Sequence, residues 1–200
     1  MARFLAKAKE KIVKNIYIYI FILFFFAAGF SASVFTFKSF PVERVAGISD
    51  YLHAFLEAAR GGVPFFSVLW QALATNIPAL LIIILSGNWM AASPVALIVV
   101  SVKGFYVGMT LMALSSALPF FNWLALFVCC VLAPCMLVVP CYFNACRLSL
   151  LHAYAKMRLK HIPPPDKAEY IKLQTQTLIA MALGLAAQSA IQSLIFGALG

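Results

Sequence analysis

Charge is scarce in this sequence: charged residues make up 10% of its 200 positions, and only six of them are acidic. Soluble globular domains carry about 25% charged residues. Here 64% of the residues are hydrophobic, and the mean hydropathy is +0.97. This composition excludes a soluble globular domain, and several apolar runs reach the roughly 20 residues that a membrane-crossing helix needs. It predicts an all-α, polytopic helical membrane protein in which residues 1–200 form a single integral membrane domain.

Recognisable catalytic and metal-binding patterns are also missing. The sequence contains no GxSxG, HExxH or GxxxxGKS/T motif. Its three histidines are scattered in predicted loops without a plausible nucleophile partner. The five cysteines share one apolar segment that has no CxxC spacing, no histidine and no acid, so we expect them to be buried small hydrophobes. We therefore expect a non-enzymatic protein with no catalytic residue, no metal site and no cofactor.

The apolar runs predict five membrane crossings. Their approximate bounds are 15–37, 67–85, 93–114, 123–146 and 173–199. Eleven of the fifteen Lys and Arg residues lie in the N-terminal tail and in the loop 147–172, so both are predicted to be cytoplasmic. The loop 38–66 and the C-terminus are then extracytoplasmic. The protein itself is expected in the cell membrane. The net charge of +9 thus follows membrane topology and does not indicate a nucleic-acid partner.

The loop 38–66 contains one amphipathic segment. Ser49 is a suitable N-cap, and Gly61 and Gly62 follow the segment, so a helix is predicted over 49–60. Its apolar stripe is a candidate partner-facing surface and consists of Tyr51, Leu52, Phe55 and Leu56. Two interpretations stay open at this point: the stripe contacts the membrane or a partner protein, or it packs down on the chain's own helices.

Lys103 lies near the middle of the third predicted crossing. A lysine at the centre of a bilayer costs about 2.5–3.5 kcal/mol, and each Leu, Ile, Phe or Val returns about 0.3–0.6 kcal/mol. The segment can therefore insert, but the ammonium must be sheltered by protein or water. Gly104 and Gly108 follow at a spacing that lets another helix approach closely.

All six carboxylates lie outside the predicted crossings, so Lys103 has no intramembrane acid in this chain. Three arrangements remain. The ammonium is held within the bundle by water, by carbonyls freed at prolines or by Asn76 and Asn144. Alternatively, it meets a group on another subunit, or it faces a cavity that receives an anionic ligand. Lys103, Gly104, Gly108, Asn76 and Asn144 are therefore the candidate intramembrane polar and packing site.

Several segments, in the same order, resemble the stage II sporulation protein M family of endospore-forming bacteria. The similarity is strongest over Pro94 to Leu159, in PVALIVVSVKGFYVGMT, LVVP and FNACRLSLLHAYAKMRL. A weaker similarity covers YIYIFILFFFAAGFSASV and DYLHAFLEAARGG. The resemblance implies a multi-pass protein of the forespore-engulfing membrane that anchors a peptidoglycan-degrading machine. It also implies protein partners resembling stage II sporulation proteins D and P, which carry the wall-cleaving chemistry.

Two functions are consistent with these features. The first is an assembly scaffold, with the 49–60 helix and the Gly104/Gly108 and Ala180/Gly184 faces as candidate partner surfaces. The second is a component of a membrane transporter for an anionic or small solute that uses Lys103. A transporter of this kind needs an energy source elsewhere, because the sequence has no nucleotide-binding motif.

Overall fold

The structure is a computed structural model that describes residues 16–60, 64–88, 93–118, 120–157 and 167–199. Within these ranges every regular element is helical. The elements are α1 (Ile16–Lys38), α2 (Val42–Arg60), α3 (Phe65–Ser86), α4 (Ser93–Ala117), α5 (Phe120–Phe127), a π-helical turn (Val128–Leu132), α6 (Ala133–Leu137), α7 (Val139–Met157) and α8 (Lys167–Leu199). The predicted all-α class is confirmed. The basic N-terminal tail lies outside the described residues.

Five helical segments of the described chain are long and apolar enough to cross a membrane. They are Ile16–Lys38, Phe65–Ser86, Pro94–Ala117, Asn122–Ala153 and Ala168–Phe196. Large apolar side chains point outward from them, since Phe24, Trp70 and Leu194 are 66%, 75% and 74% exposed. An apolar outer surface suits contact with lipid, and the helices satisfy their backbone polar groups internally. The chain is therefore a polytopic helical membrane protein, and the orientation of its termini stays a prediction.

The main core draws on all five crossings. Ile22 of α1, Leu80 of α3, Val100 of α4, Tyr142 of α7 and Met181 of α8 are buried in one cluster. A smaller cluster joins the far ends of α4, the fourth crossing and α8. Helix α2 lies over this second cluster, so it covers one end of the bundle. We call this end the α2 end.

Glycines permit the most extensive helix contact, which joins α1 and α4. A Cβ at Gly104 would collide with the backbone carbonyl of Phe26. From the other side, a Cβ at Gly29 would collide with the carbonyl of Ser101. Only glycine lets the two backbones approach this closely, so the spacing in the third crossing correctly predicts a tight helix contact.

The helix that fills the Gly104/Gly108 face is α1 of the same chain. Ser33 of α1 lies directly against Gly108. The second small-residue face is also occupied, because a Cβ at Gly184 would lie 3.0 Å from the carbonyl oxygen of Leu137. The expectation that Gly104 and Gly108 offer a surface to a partner is therefore wrong, since α1 of the same chain packs there. On the second face only Gly184 is covered in this way, and Ala180 is exposed, so a partner at Ala180 stays a prediction.

Helix α2 begins earlier than the sequence predicts. The amides of Arg44 and Val45 both donate to the carbonyl of Pro41, at 3.0 and 3.3 Å. Proline suits the start of a helix because its φ is already near the helical value. The helix therefore begins at Val42, and Ser49 lies inside it and is not an N-cap.

The predicted basic loop 147–172 is largely helical. Helix α7 continues through Arg147 to Met157, and α8 begins at Lys167. The predicted fourth crossing ends before Arg147 because this is the first charged residue. The residues that follow it include Leu, Ala, Lys and Met, which favour helix, so the helix continues. Arg147 is buried, with 7% of its surface exposed, so it belongs to the packed bundle and not to a loop.

A proline interrupts the fourth crossing. The amide of Ala133 donates to the carbonyl of Val128 in a π-helical bond. The next such donor would be Pro134, which has no N–H, so the carbonyl of Cys129 loses its backbone partner. The Nε2 of Gln192 donates to that carbonyl at 3.2 Å. A side chain of α8 thus satisfies the carbonyl freed by the break.

Candidate functional site

Lys103 of α4 faces α3 and α7. Its Nζ donates to the Oδ1 of Asn76 at 3.0 Å and lies 5.1 Å from the centroid of the Tyr142 ring. A desolvated ammonium over an aromatic face gains about 2 kcal/mol. The structure therefore shows the first of the three predicted arrangements, with an asparagine of the same chain as the partner. We call Lys103, Asn76 and Tyr142 the Lys103 cluster.

Hydrogen bonds hold both polar atoms of the Asn76 side-chain amide. Its Nδ2 donates to the carbonyl of Ala72 at 2.8 Å, so its Oδ1 is turned towards α4 and α7. The hydroxyl of Tyr142 lies 3.1 Å from this Oδ1 and 2.9 Å from the Asn76 carbonyl oxygen, and it donates to them. The acceptor for Lys103 is thus preorganised by groups on two helices.

Asn144 does not join the Lys103 cluster. It follows Tyr142 by two residues, which turns it about 200° around α7. Its Nδ2 donates to the Oγ1 of Thr177 on α8 at 2.8 Å. The sequence predicts two asparagines as candidate partners of Lys103. Of these two, only Asn76 contacts it.

A cavity of ≈ 340 Å³ lies between α3 and α8 beside the Lys103 cluster. Asn76 contributes to its wall, together with the polar side chains of Gln71, Thr75, Gln188 and Gln192. The Oε1 of Gln188 is buried and accepts no hydrogen bond from the described residues. The cavity therefore has a polar wall within the membrane-crossing part of the bundle.

The apolar stripe of α2 faces its own bundle in part. Leu52 packs against the cluster at the α2 end, and Phe55 contacts Phe196 of α8 edge-to-face at 5.7 Å between ring centroids. Tyr51, in contrast, is 70% exposed. The side chain of Leu56 lies outside the described residues. Leu52 and Phe55 therefore hold α2 in place, and this part of the stripe is not a partner-facing surface.

A buried polar network at the opposite end of the bundle was not predicted from the sequence. The Oγ of Ser149 donates to the carbonyl of Ile83, and the hydroxyl of Tyr170 donates to that of Ile84, both at 2.8 Å. The Nε2 of Gln174 donates to both hydroxyl oxygens at 3.2 Å. The four-residue spacing of Tyr170 and Gln174 was the available signal, since it places them on one helix face. The network joins α3, α7 and α8.

Tyr142 was also not predicted as a site residue. It is a hydroxyl-bearing aromatic residue within an apolar crossing, and such groups usually find a hydrogen-bond partner when buried. That signal was present in the sequence, but it does not reveal which helix supplies the partner.

Comparison of the chain with known protein families, with curated proteins and with solved structures finds no match. Among the described residues, no group of three or more His, Cys, Asp or Glu side chains is placed to hold a metal ion. Fold and site together define a polytopic helical membrane protein with an intramembrane lysine paired to an asparagine. The chemistry of that site is electrostatic: an ammonium has three N–H donors, which can hold polar or anionic groups.

Proposed function

We propose that this chain is a non-enzymatic membrane anchor that assembles a peptidoglycan-degrading complex for engulfment during endospore formation. The resemblance to the stage II sporulation protein M family supports this function. It implies a location in the forespore-engulfing membrane, with partners that resemble stage II sporulation proteins D and P. The structural observation that carries the proposal is the outer face of α2.

This face presents three carboxylates at seven-residue spacing. Glu43, Asp50 and Glu57 are all exposed, and seven residues correspond to about two helical turns. Leu52 and Phe55 lie on the other side of α2 and fix it to the bundle. The chain therefore displays three exposed carboxylates along one face of α2, where a basic surface of a partner can dock.

The test is co-purification of the partners from a detergent extract of sporulating cells. We expect a tagged chain to retain proteins resembling stage II sporulation proteins D and P. The triple variant Glu43→Gln, Asp50→Asn, Glu57→Gln is expected to retain about three- to tenfold less of both, because exposed charges at an interface contribute modestly.

The matched control neutralises Glu169 and Lys172, which are exposed near the start of α8, away from the α2 end. This control is expected to retain both partners at the wild-type level. Absence of both partners from the wild-type eluate, with the chain itself intact, would rule out the scaffold function.

A second candidate function is favoured by one observation: the cavity of ≈ 340 Å³ adjoins Asn76, the hydrogen-bond acceptor of Lys103. A transporter component for an anionic or small solute could use the ammonium to attract the solute into this cavity. Its energy source would be a separate subunit.

Lys103→Ala should then abolish uptake of the anion while the amount of folded protein in the membrane stays unchanged. Lys103→Arg is the matched variant, because it keeps the positive charge and is expected to retain part of the uptake. The measurement is uptake of labelled solute by cells that express each variant at equal levels. Unchanged uptake in Lys103→Ala would exclude this function.

A further inference from the structure

A second cavity, of ≈ 310 Å³, lies between α7 and α8. Arg147, Asn144, Gln176 and Thr177 contribute polar groups to its wall. Neither the scaffold function nor the transport function uses this cavity. Its distinguishing feature is a buried arginine.

Arg147 is 93% buried in this wall, since only 7% of its surface is exposed. Its guanidinium carbon lies 5.6 Å from the centroid of the Tyr19 ring. Its Nε has no hydrogen-bond partner among the described residues. A ring contact does not replace hydrogen bonds, and a buried cationic donor without an acceptor is unfavourable. Arg147 therefore has the capacity to bind an acceptor that comes from outside the chain.

Among the described residues, none that lines the cavity carries a compensating negative charge. Three of the described carboxylates lie on α2, over the other end of the bundle, and Glu169 is exposed in the first turn of α8. None of them lines the cavity. An anion that enters the cavity therefore meets a positive group without competition from an acidic neighbour.

Arg147 lies towards the end of the bundle that is opposite α2. Tyr19, which it contacts, is near the start of the described part of α1. Ser149 is two residues further along α7, about 3 Å along the axis, and donates to Ile83 close to the end of α3. Arg147 is thus close to the level at which α3 ends, on the side of the bundle opposite α2, and the cavity continues from there along α7 and α8 as far as Pro140 and Ala180.

We propose that this cavity binds a phosphate group through Arg147, with Gln176 as a further donor. The planar guanidinium suits the bidentate binding of phosphate oxygens. The phosphate belongs either to the head group of an anionic phospholipid or to free phosphate. Basic pockets between membrane helices bind anionic head groups in this way. The site does not depend on the proposed scaffold function.

The test is native mass spectrometry of the full chain in detergent, with three probes offered separately. They are dioleoyl phosphatidylglycerol, net-neutral dioleoyl phosphatidylcholine and inorganic phosphate. We expect the wild type to retain the anionic lipid in preference to the neutral one. Arg147→Gln is expected to weaken that binding about tenfold or more, since it removes charge-assisted hydrogen bonds.

Lys172→Gln is the matched control, because it removes one positive charge from an exposed residue outside the cavity wall. It is expected to bind the anionic lipid within about twofold of the wild type. Binding of inorganic phosphate to the wild type, but not to Arg147→Gln, without a lipid preference identifies free phosphate as the source. The proposal is overturned if no probe distinguishes Arg147→Gln from the wild type.

Exposed Gln176 provides the variant that tests the site if Arg147→Gln does not fold. Gln176→Leu removes a donor from the wall and leaves the packing of Arg147 on Tyr19 in place. Weaker binding of the anionic lipid or of phosphate by this variant supports the site. Wild-type binding by Gln176→Leu, with Arg147→Gln unfolded, overturns it.

Discussion

Replacing Gly104 by leucine is expected to separate α1 from α4 and to prevent stable folding. Even the Cβ of an alanine at this position would overlap the backbone carbonyl of Phe26. A backbone group cannot rotate away as a flexible side chain can, so the whole helix has to shift. Overpacking a tight contact by a few atoms costs about 1–3 kcal/mol. Gly104→Ala should therefore lose about that much stability, and Gly104→Leu should lose more.

The chain offers a matched control for this prediction. Gly47 lies in α2, and a Cβ built there has no neighbouring atom within 4 Å. Gly47→Ala is expected to leave stability unchanged or to raise it by up to about 1 kcal/mol, because alanine favours helix more than glycine does. Thermal unfolding of the purified variants in detergent measures both effects. Equal unfolding midpoints for Gly104→Ala and Gly47→Ala would show that α1 does not pack closely on this face.

The glycine contact also determines where Lys103 points. Gly104 follows it by one residue, which is about 100° around the helix. When α1 packs against Gly104 and Gly108, the side chain of Lys103 is turned towards α3 and α7. Tight α1–α4 packing and the placement of the ammonium are therefore linked, and a substitution at Gly104 is expected to disturb both.

Composition and spacing were sufficient to predict the helical class, the five crossings and the close contact at Gly104. Each of these depends on a local property, either the length of an apolar run or the absence of a side chain. The identity of the helix that packs on Gly104 was not predictable. Gly29 and Ser33 are the small residues of α1 that lie against α4. The sequence also contains other pairs of small residues at a similar spacing, so spacing alone does not identify the helix that packs on Gly104.

The sequence also predicts the Lys103 cluster only in part. Lys103 and Asn76 were both candidates, because polar groups in apolar crossings are few. Asn144 was an equally good candidate by that criterion, and it binds Thr177 instead. Side-chain periodicity defines the face on which a residue lies, but it does not define which faces meet. Tyr142 was missed for this reason, since its role depends on the approach of α3 to α7.

Asn76→Leu is expected to destabilise the bundle by about 3 kcal/mol, because it removes the acceptor and leaves the Lys103 ammonium buried without a hydrogen bond. Leucine has a similar volume, so the loss does not come from a cavity. The matched control is Thr75→Val, one position away on α3. Thr75 is exposed, and its hydroxyl donates within its own helix to the carbonyl of Gln71, so this change should be nearly neutral.

Lys103→Met separates a structural role of the lysine from a functional one. Lys103→Met loses the contacts of the ammonium with Asn76 and Tyr142 but also removes the cost of burying a charge, which often outweighs such contacts, and Tyr142 continues to donate to Asn76. We therefore expect Lys103→Met to unfold at or above the wild-type temperature, and the double variant Lys103→Met, Asn76→Leu to be more stable than Asn76→Leu alone. A coupling of about 1–3 kcal/mol between the two sites is expected from the double-mutant cycle.

If Lys103→Met is instead as unstable as Asn76→Leu, the lysine is retained for stability. A stable Lys103→Met that fails in partner assembly or in uptake shows that the bundle tolerates the buried ammonium for its function.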